Sequence, residues 1–255
     1  MTEPILLSVS DGVARVTLNR PDRLNAIDAA AAGRWRDVAE EVTGRADVRA
    51  VVLDAAGPAF CAGGDVGAMA AGGTDGAAIR QLADTIHHGM RALRGGAVPI
   101  VAAVQGAVAG GGLGVMLTAD IVVASTGASF QSRYANIGLT PDCGVSTLLP
   151  EAVGTRRALQ LLLGDIRLDA RTALEWGLVG EVVDPEDLAA RADAIAASWA
   201  SGPSAAYGQA RRLLRADRSR SFAAALDDEA ATIGAAFDTE DASTRIAAFV
   251  EGSRR

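Results

Sequence analysis

Ile100-Val101-Ala102-Ala103-Val104-Gln105-Gly106-Ala107-Val108-Ala109-Gly110-Gly111-Gly112-Leu113-Gly114 joins an unbroken apolar run to a glycine-rich segment. A short run with no polar alternation reads as a strand covered on both faces, as in parallel sheets flanked by helices. The glycines after it let backbone N–H groups approach a ligand that a Cβ would hold away. A short apolar helix is expected from about Gly111 to Thr118. The first N–H groups of such a helix have no internal acceptor and sit at the positive end of its dipole.

Ala59-Phe60-Cys61-Ala62-Gly63-Gly64-Asp65 follows the strand expected over residues 49–54 in the same way. Adjacent strands would bring the two glycine loops side by side, where ligands sit in open α/β sheets. Two bare amides aimed at one oxygen make an oxyanion hole, so activation of a carbonyl is the chemistry suggested. A phosphate cradle is the rival. The run lacks both the Lys-Ser/Thr ending of a P-loop and the acidic ribose partner of a dinucleotide fingerprint. Close packing of a strand on a helix would account for either segment taken alone.

Working outward, residues 5–9 and 14–18 read as strands joined by the turn pair Asp11-Gly12. Asp28 can cap a helix reaching about Val42, with Trp35, Val38, Ala39 and Val42 on one face. A helix over 75–93 precedes the strand at 100–104, and another strand is expected at 121–124. This alternation predicts parallel pairing through right-handed crossovers. Beyond Val145 strand signals nearly vanish, and helices are expected over 155–163, 169–176, 185–199, 203–215 and 222–237. The fold class is therefore α/β, divided into a core over residues 1–195 and a C-terminal helical region over 196–255 that is expected to bind a second copy of the chain.

Composition limits the function. With 255 residues, 49% of them hydrophobic, the chain can bury a full core. A net charge of −7 argues against a general nucleic-acid surface. All 24 basic residues are Arg, so a cationic anchor for phosphate would be a guanidinium. Cys61 and Cys143 are too few for a disulfide scaffold, which points to a cytoplasmic location. The longest apolar stretches are broken by Gly and fall short of the ~20 residues that span a bilayer. No partnership with a membrane is expected.

Five segments, in order, carry a resemblance. They are Leu18-Asn19-Arg20-Pro21 with Leu24-Asn25-Ala26; residues 59–65; residues 106–114; Ile137-Gly138-Leu139-Thr140-Pro141-Asp142; and Ala173-Leu174-Glu175-Trp176-Gly177-Leu178-Val179 with Val182-Val183. The chain resembles the crotonase superfamily, the enoyl-CoA hydratase/isomerase family. The resemblance implies a crotonase-like spiral of ββα turns with a C-terminal helical trimerisation region, assembled as a homotrimer or dimer of trimers. It implies an acyl-CoA thioester as substrate, with no separate cofactor and no metal. By the family pattern, the N–H groups of Gly64 and Gly111 hold the thioester oxygen. Arg23, Leu24, Ala26, Ala62 and Val66 line the adenine and pantetheine path. Met69 and Tyr134 are candidates for the acyl wall, and both are equally suited to core packing.

The same resemblance bears on the reaction. Hydratases of the family hold water between two glutamates, and those places are Gly114 and Tyr134 here. Neither can hold and split water. Asp142, after Pro141, stands where isomerases of the family carry their acid/base, and one carboxylate suffices to move a proton from C2 to C4. Other readings stay open. Asp142 could cap the following turn. A dehalogenase branch pairs a carboxylate nucleophile at this place with a histidine, here His87, although His87 and His88 also read as a helix-surface pair. Hydratase, thioesterase and a catalytically silent acyl-CoA-binding role complete the alternatives.

Overall fold

The computed structural model describes residues 2–71, 74–216 and 219–252. Strands β1 (Ile5–Ser10) and β2 (Val13–Leu18) form an antiparallel hairpin with Ile5 opposite Leu18. Asp11 and Gly12 turn it with φ of 52° and 79°, the left-handed conformation that this residue pair tolerates. Helix α1 (Ala29–Gly44) begins where the Asp28 carboxylate accepts the Ala31 N–H at 2.9 Å, and it buries Trp35, Val38, Ala39 and Val42 as its periodicity predicts.

Strand β3 (Ala50–Ala55) then pairs parallel with β2. The chain continues through α2 (Val66–Ala70), α3 (Gly76–Gly95), β4 (Ile100–Val104), β5 (Ala107–Ala109), α4 (Gly111–Leu117), β6 (Ile121–Ser125) and β7 (Ser129–Gln131). After these come α5 (Val145–Val153), α6 (Thr155–Leu163), β8 (Arg167–Asp169), α7 (Ala170–Trp176) and β9 (Glu181–Val183). Helices α8 (Leu188–Ser201), α9 (Ser204–Arg215), α10 (Phe222–Phe237) and α11 (Glu240–Gly252) close the chain.

The strands fall into two sheets, β1-β2-β3-β4-β6-β9 and β5-β7-β8. Two turns of the spiral give one strand to the larger sheet and a shorter one to the smaller: β4 is followed by β5, and β6 by β7. The β3 turn contributes only Cys61, which bridges to Val108. This is the α/β spiral that the resemblance implies. Three-residue strands such as β5, β7, β8 and β9 are too short to display a period, which is why the sequence pattern did not reveal them. The segment after Asp142, expected as a turn, forms the full helix α5 and carries Pro150 within it.

One face of the larger sheet is covered by α1, on which α3 packs, with the Trp35 indole N–H donating to the Ile86 carbonyl at 3.2 Å. The opposite face is covered by α8, whose Ala192, Ala196 and Ala200 pack on Val52, Val101, Ala103 and Val123. Helix α8 runs through residue 195 without a break. Helices α10 and α11 have no buried residue, and Phe222, Ile233, Phe237 and Phe249 are more than two-thirds exposed.

A charged cluster fastens α9 to the core. The buried Arg211 guanidinium donates to both Asp120 oxygens at 2.9 Å and to the carbonyls of Leu93, Arg94 and Gly96 at the end of α3. Arg215 pairs with the same carboxylate at 2.6 Å. Burial draws the Arg215 guanidinium down to about 10, still charged at neutral pH. Removing one member of a buried ion pair strands the other, so Asp120→Ala is expected to cost about 3 kcal/mol. Urea unfolding of the variant checks this.

Candidate active site

The site forms where the loops after β3 and β4 meet. A strap at residues 20–27 brackets the first loop. Buried Asn25 donates to the carbonyls of Ala56 and Ala59 at 2.9 and 2.8 Å, and Ala62 N–H donates to the Leu24 carbonyl at 3.0 Å. Ile27 forms a parallel bridge with Gly64, donating to the Gly63 carbonyl at 2.7 Å and accepting from Asp65 N–H at 3.0 Å. In such a bridge the central residue turns its own N–H to the opposite side. Gly64 therefore presents its amide away from the strap.

Asp65 fixes the loop from behind. Its carboxylate caps α2 at the Ala68 N–H (3.0 Å) and pairs with Arg20 at 3.1 Å. The Ala68 amide first, and then Arg20, hold this carboxyl below its ordinary range.

Gly111 opens α4, and the two loops touch through their backbones. Gly63 has φ of +93°, and a Cβ placed on it would lie 2.8 Å from the Ala109 carbonyl oxygen and 3.1 Å from the Gly111 nitrogen. Glycine is required there for both conformation and space. Neither the Gly64 nor the Gly111 N–H donates to a protein acceptor among the described residues. Both glycines line one cavity of about 490 Å³.

Ala62, Val66, Met69, Tyr134 and Asp142 line the same cavity. The structure thus brings together seven of the ten residues singled out in the sequence. Arg23, Leu24 and Ala26 are not in its wall. Arg23 and Leu24 are exposed on the strap, while Ala26 is buried and its carbonyl accepts from Arg20. Sequence reasoning missed Ile79, Arg80 and Ala83 of α3, together with Arg133 and Asn136. The only available signal for the α3 residues was helical spacing, which does not reveal what a helix faces.

Among the described residues, Asp142 is the one carboxylate in the cavity wall. It does not cap α5: Gly144 is the N-cap, with no side-chain bond, and only the Asp142 backbone carbonyl accepts from Val145. Oδ1 of Asp142 lies 3.4 Å from where a Cβ on Gly111 would sit. The Tyr134 hydroxyl donates to this Oδ1 at 2.5 Å. Burial, and then the Asp142 charge, push the Tyr134 phenol well above its ordinary value, so it is a proton donor at any working pH.

The histidines are not the surface pair expected. His88 is exposed and pairs with Glu40 at 2.7 Å, whereas His87 is half-buried and its Nε2 accepts the Cys143 N–H at 3.0 Å. That lone pair is therefore engaged, and the second ring nitrogen carries the proton. His87, Asp142 and Cys143 have potential metal ligands within 4.8 Å of one another. They do not fit a metal, because the histidine lone pair is taken and burial holds the thiol proton tightly. Cys61 is likewise unactivated, its thiol pushed up to about 11 by burial.

Gly114 explains why a glutamate is absent at that place. A Cβ there would lie 1.8 Å from the Cys143 carbonyl oxygen, so the loop carrying Asp142 fills the space.

Residues 8–254 match the family described as enoyl-CoA hydratase/isomerase. A probable enoyl-CoA hydratase of Rhodobacter capsulatus is 35% identical over 247 residues, covering 97% of this chain and 95% of that one. The 1,2-epoxyphenylacetyl-CoA isomerase of Escherichia coli is 33% identical over 234 residues, covering 90% and 88%. The crystal structure of an enoyl-CoA hydratase from Mycobacterium smegmatis aligns with a TM-score of 0.91 at 28% identity, covering 98% and 96%. The chain belongs to the enoyl-CoA hydratase/isomerase family, and it is a crotonase-type enzyme acting on acyl-CoA. The names of these relatives divide between hydratase and isomerase, so the reaction must be argued from side chains.

The Gly114 contact gives a direct expectation. Gly114→Ala forces α4 and the Asp142 loop apart, lowering thermal stability by about 2 kcal/mol or more and misaligning the site. Thermal unfolding and turnover of that variant test it.

Proposed function

We propose that this enzyme shifts the double bond of an enoyl-CoA, with Asp142 as acid and base. The observation that supports this reading is a lone carboxylate in the wall that also carries the two unengaged amides. In the proposed reaction the N–H groups of Gly64 and Gly111 hold the thioester oxygen. Asp142 takes a proton from C2 of a 3-enoyl thioester, and the C–H electrons pass into a dienolate whose negative charge the amides stabilise. The same carboxyl returns the proton to C4, leaving the double bond between C2 and C3. Each oxyanion donor contributes on the order of 10²–10³ in rate.

The competing reactions have less support. Hydration needs two ionisable groups around water; position 114 has no room for one and position 134 holds a protonated phenol. Dehalogenation needs a histidine free to activate water, and His87 Nε2 is already an acceptor. Met69, Ile79 and Leu139 suit the acyl chain, while Arg23, Leu24, Ala26, Ala62 and Val66 are assigned to the coenzyme A arm. Coenzyme A enters as part of the substrate.

Asp142→Asn keeps the shape of the side chain and removes the base. Isomerisation of a 3-enoyl-CoA is expected to fall by about 10³-fold, with binding of a saturated acyl-CoA nearly unchanged by calorimetry. Full turnover in this variant would reject the assignment.

We further infer that residues 196–255 form the oligomerisation region of a homotrimer or a dimer of trimers, and that the enzyme works in the cytoplasm. No described helix is long and apolar enough to cross a membrane. The exposed Phe222, Ile233, Phe237 and Phe249 are the kind of surface that a second copy covers. Sedimentation is expected to give three or six times the 25.9 kDa chain, with Ile233→Asp shifting it toward monomer. A monomeric native protein would overturn this inference.

A further inference from the structure

We infer that Tyr134 is a positioning residue: its hydroxyl holds Oδ1 of Asp142, so that Oδ2 is the atom that takes the substrate proton at C2 and returns it at C4. The inference rests on the isomerase reading and adds to it, because a tyrosine in the cavity wall could equally serve only as packing for the acyl chain.

Three observations carry it. The first is geometry. The Tyr134 hydroxyl donates to Oδ1 at 2.5 Å and lies 3.4 Å from the Asp142 carbonyl oxygen, so its one proton is committed to the carboxylate. A hydrogen bond to an ionised acceptor is short and about twice as strong as a neutral one. The second is burial. Tyr134 is 8% exposed, and a hydroxyl at that depth needs a partner; Asp142 is the partner it has. The third is that the backbone next to Asp142 is held independently, since His87 Nε2 accepts the Cys143 N–H at 3.0 Å. With the main chain held from α3, the carboxylate keeps its two side-chain torsions, and the Tyr134 contact on Oδ1 restrains them.

The consequence is chemical. Removing a proton from one carbon and delivering it to a second works best when the carrier oxygen stays between the two. A carboxylate free to turn would present either oxygen, and the protonated oxygen could swing away before delivery. Tyr134 keeps its own proton throughout and makes no bond to substrate. The electron balance is that of the isomerisation itself: the C2–H bond breaks, Oδ2–H forms, and the reverse occurs at C4.

Tyr134→Phe tests this, because it keeps the ring and deletes only the hydroxyl. Loss of one charge-assisted hydrogen bond is expected to lower kcat for 3-enoyl-CoA isomerisation by about tenfold to a hundredfold, leaving KM unchanged. An unchanged kcat, or an effect confined to KM, would overturn the inference and return Tyr134 to packing. A second measurement does not depend on how that variant folds. The chain has two tyrosines, Tyr134 and Tyr207, so incorporation of 3-fluorotyrosine gives two ¹⁹F resonances. Tyr207→Phe assigns them. Asp142→Asn is expected to move the resonance of residue 134 and leave that of residue 207 in place; an unmoved resonance overturns the inference. Full turnover in Asp142→Asn would instead reject the isomerase reading, whereas an inactive Asp142→Asn beside a fully active Tyr134→Phe would reject only the role of Tyr134.

Discussion

The site depends on a backbone-to-backbone contact between the loop after β3 and the start of α4. Gly63 sits against Ala109 and Gly111 at distances no Cβ allows, and this contact sets the spacing of the two amides. An oxyanion hole works because its donors are oriented before charge develops. In the oxyanion hole proposed here the orientation is imposed twice, by the Ile27 bridge on one side and by the helix start on the other.

The remaining features of the site protect that contact. Arg20 ties Asp65 to Asp28 and so anchors the loop behind Gly64 to the N-terminus of α1. Gly114 lets the segment bearing Asp142 and Cys143 lie directly on α4, which brings a carboxylate close to Gly111. The same closeness leaves no room for a glutamate on α4. The absence of a carboxylate at position 114 is therefore written into backbone packing as well as into residue type.

The C-terminal helices obey a different logic. Helix α9 is fastened to the core by buried Arg211, which satisfies carbonyls at the end of α3, while α10 and α11 keep their apolar residues outside. An Ala-rich pair of helices with no buried residue has little stability of its own. Their exposed apolar residues are what the proposed oligomerisation would bury.

Sequence by itself determined the local and the periodic. The Asp11-Gly12 turn, the Asp28 cap, the amphipathic face of α1, the apolar run of β4 and the glycine loops were legible because each depends on neighbours within a few residues. The candidates Gly64, Gly111 and Asp142 were legible through the resemblance their segments carry. What the tertiary structure alone decided were relations across the chain: Tyr134 donating to Asp142, His87 engaged by Cys143, the Cys143 carbonyl filling the space beside Gly114, and α3 supplying one cavity wall. Helical or strand spacing states which residues share a face, but which surface that face meets is fixed only when the whole core packs.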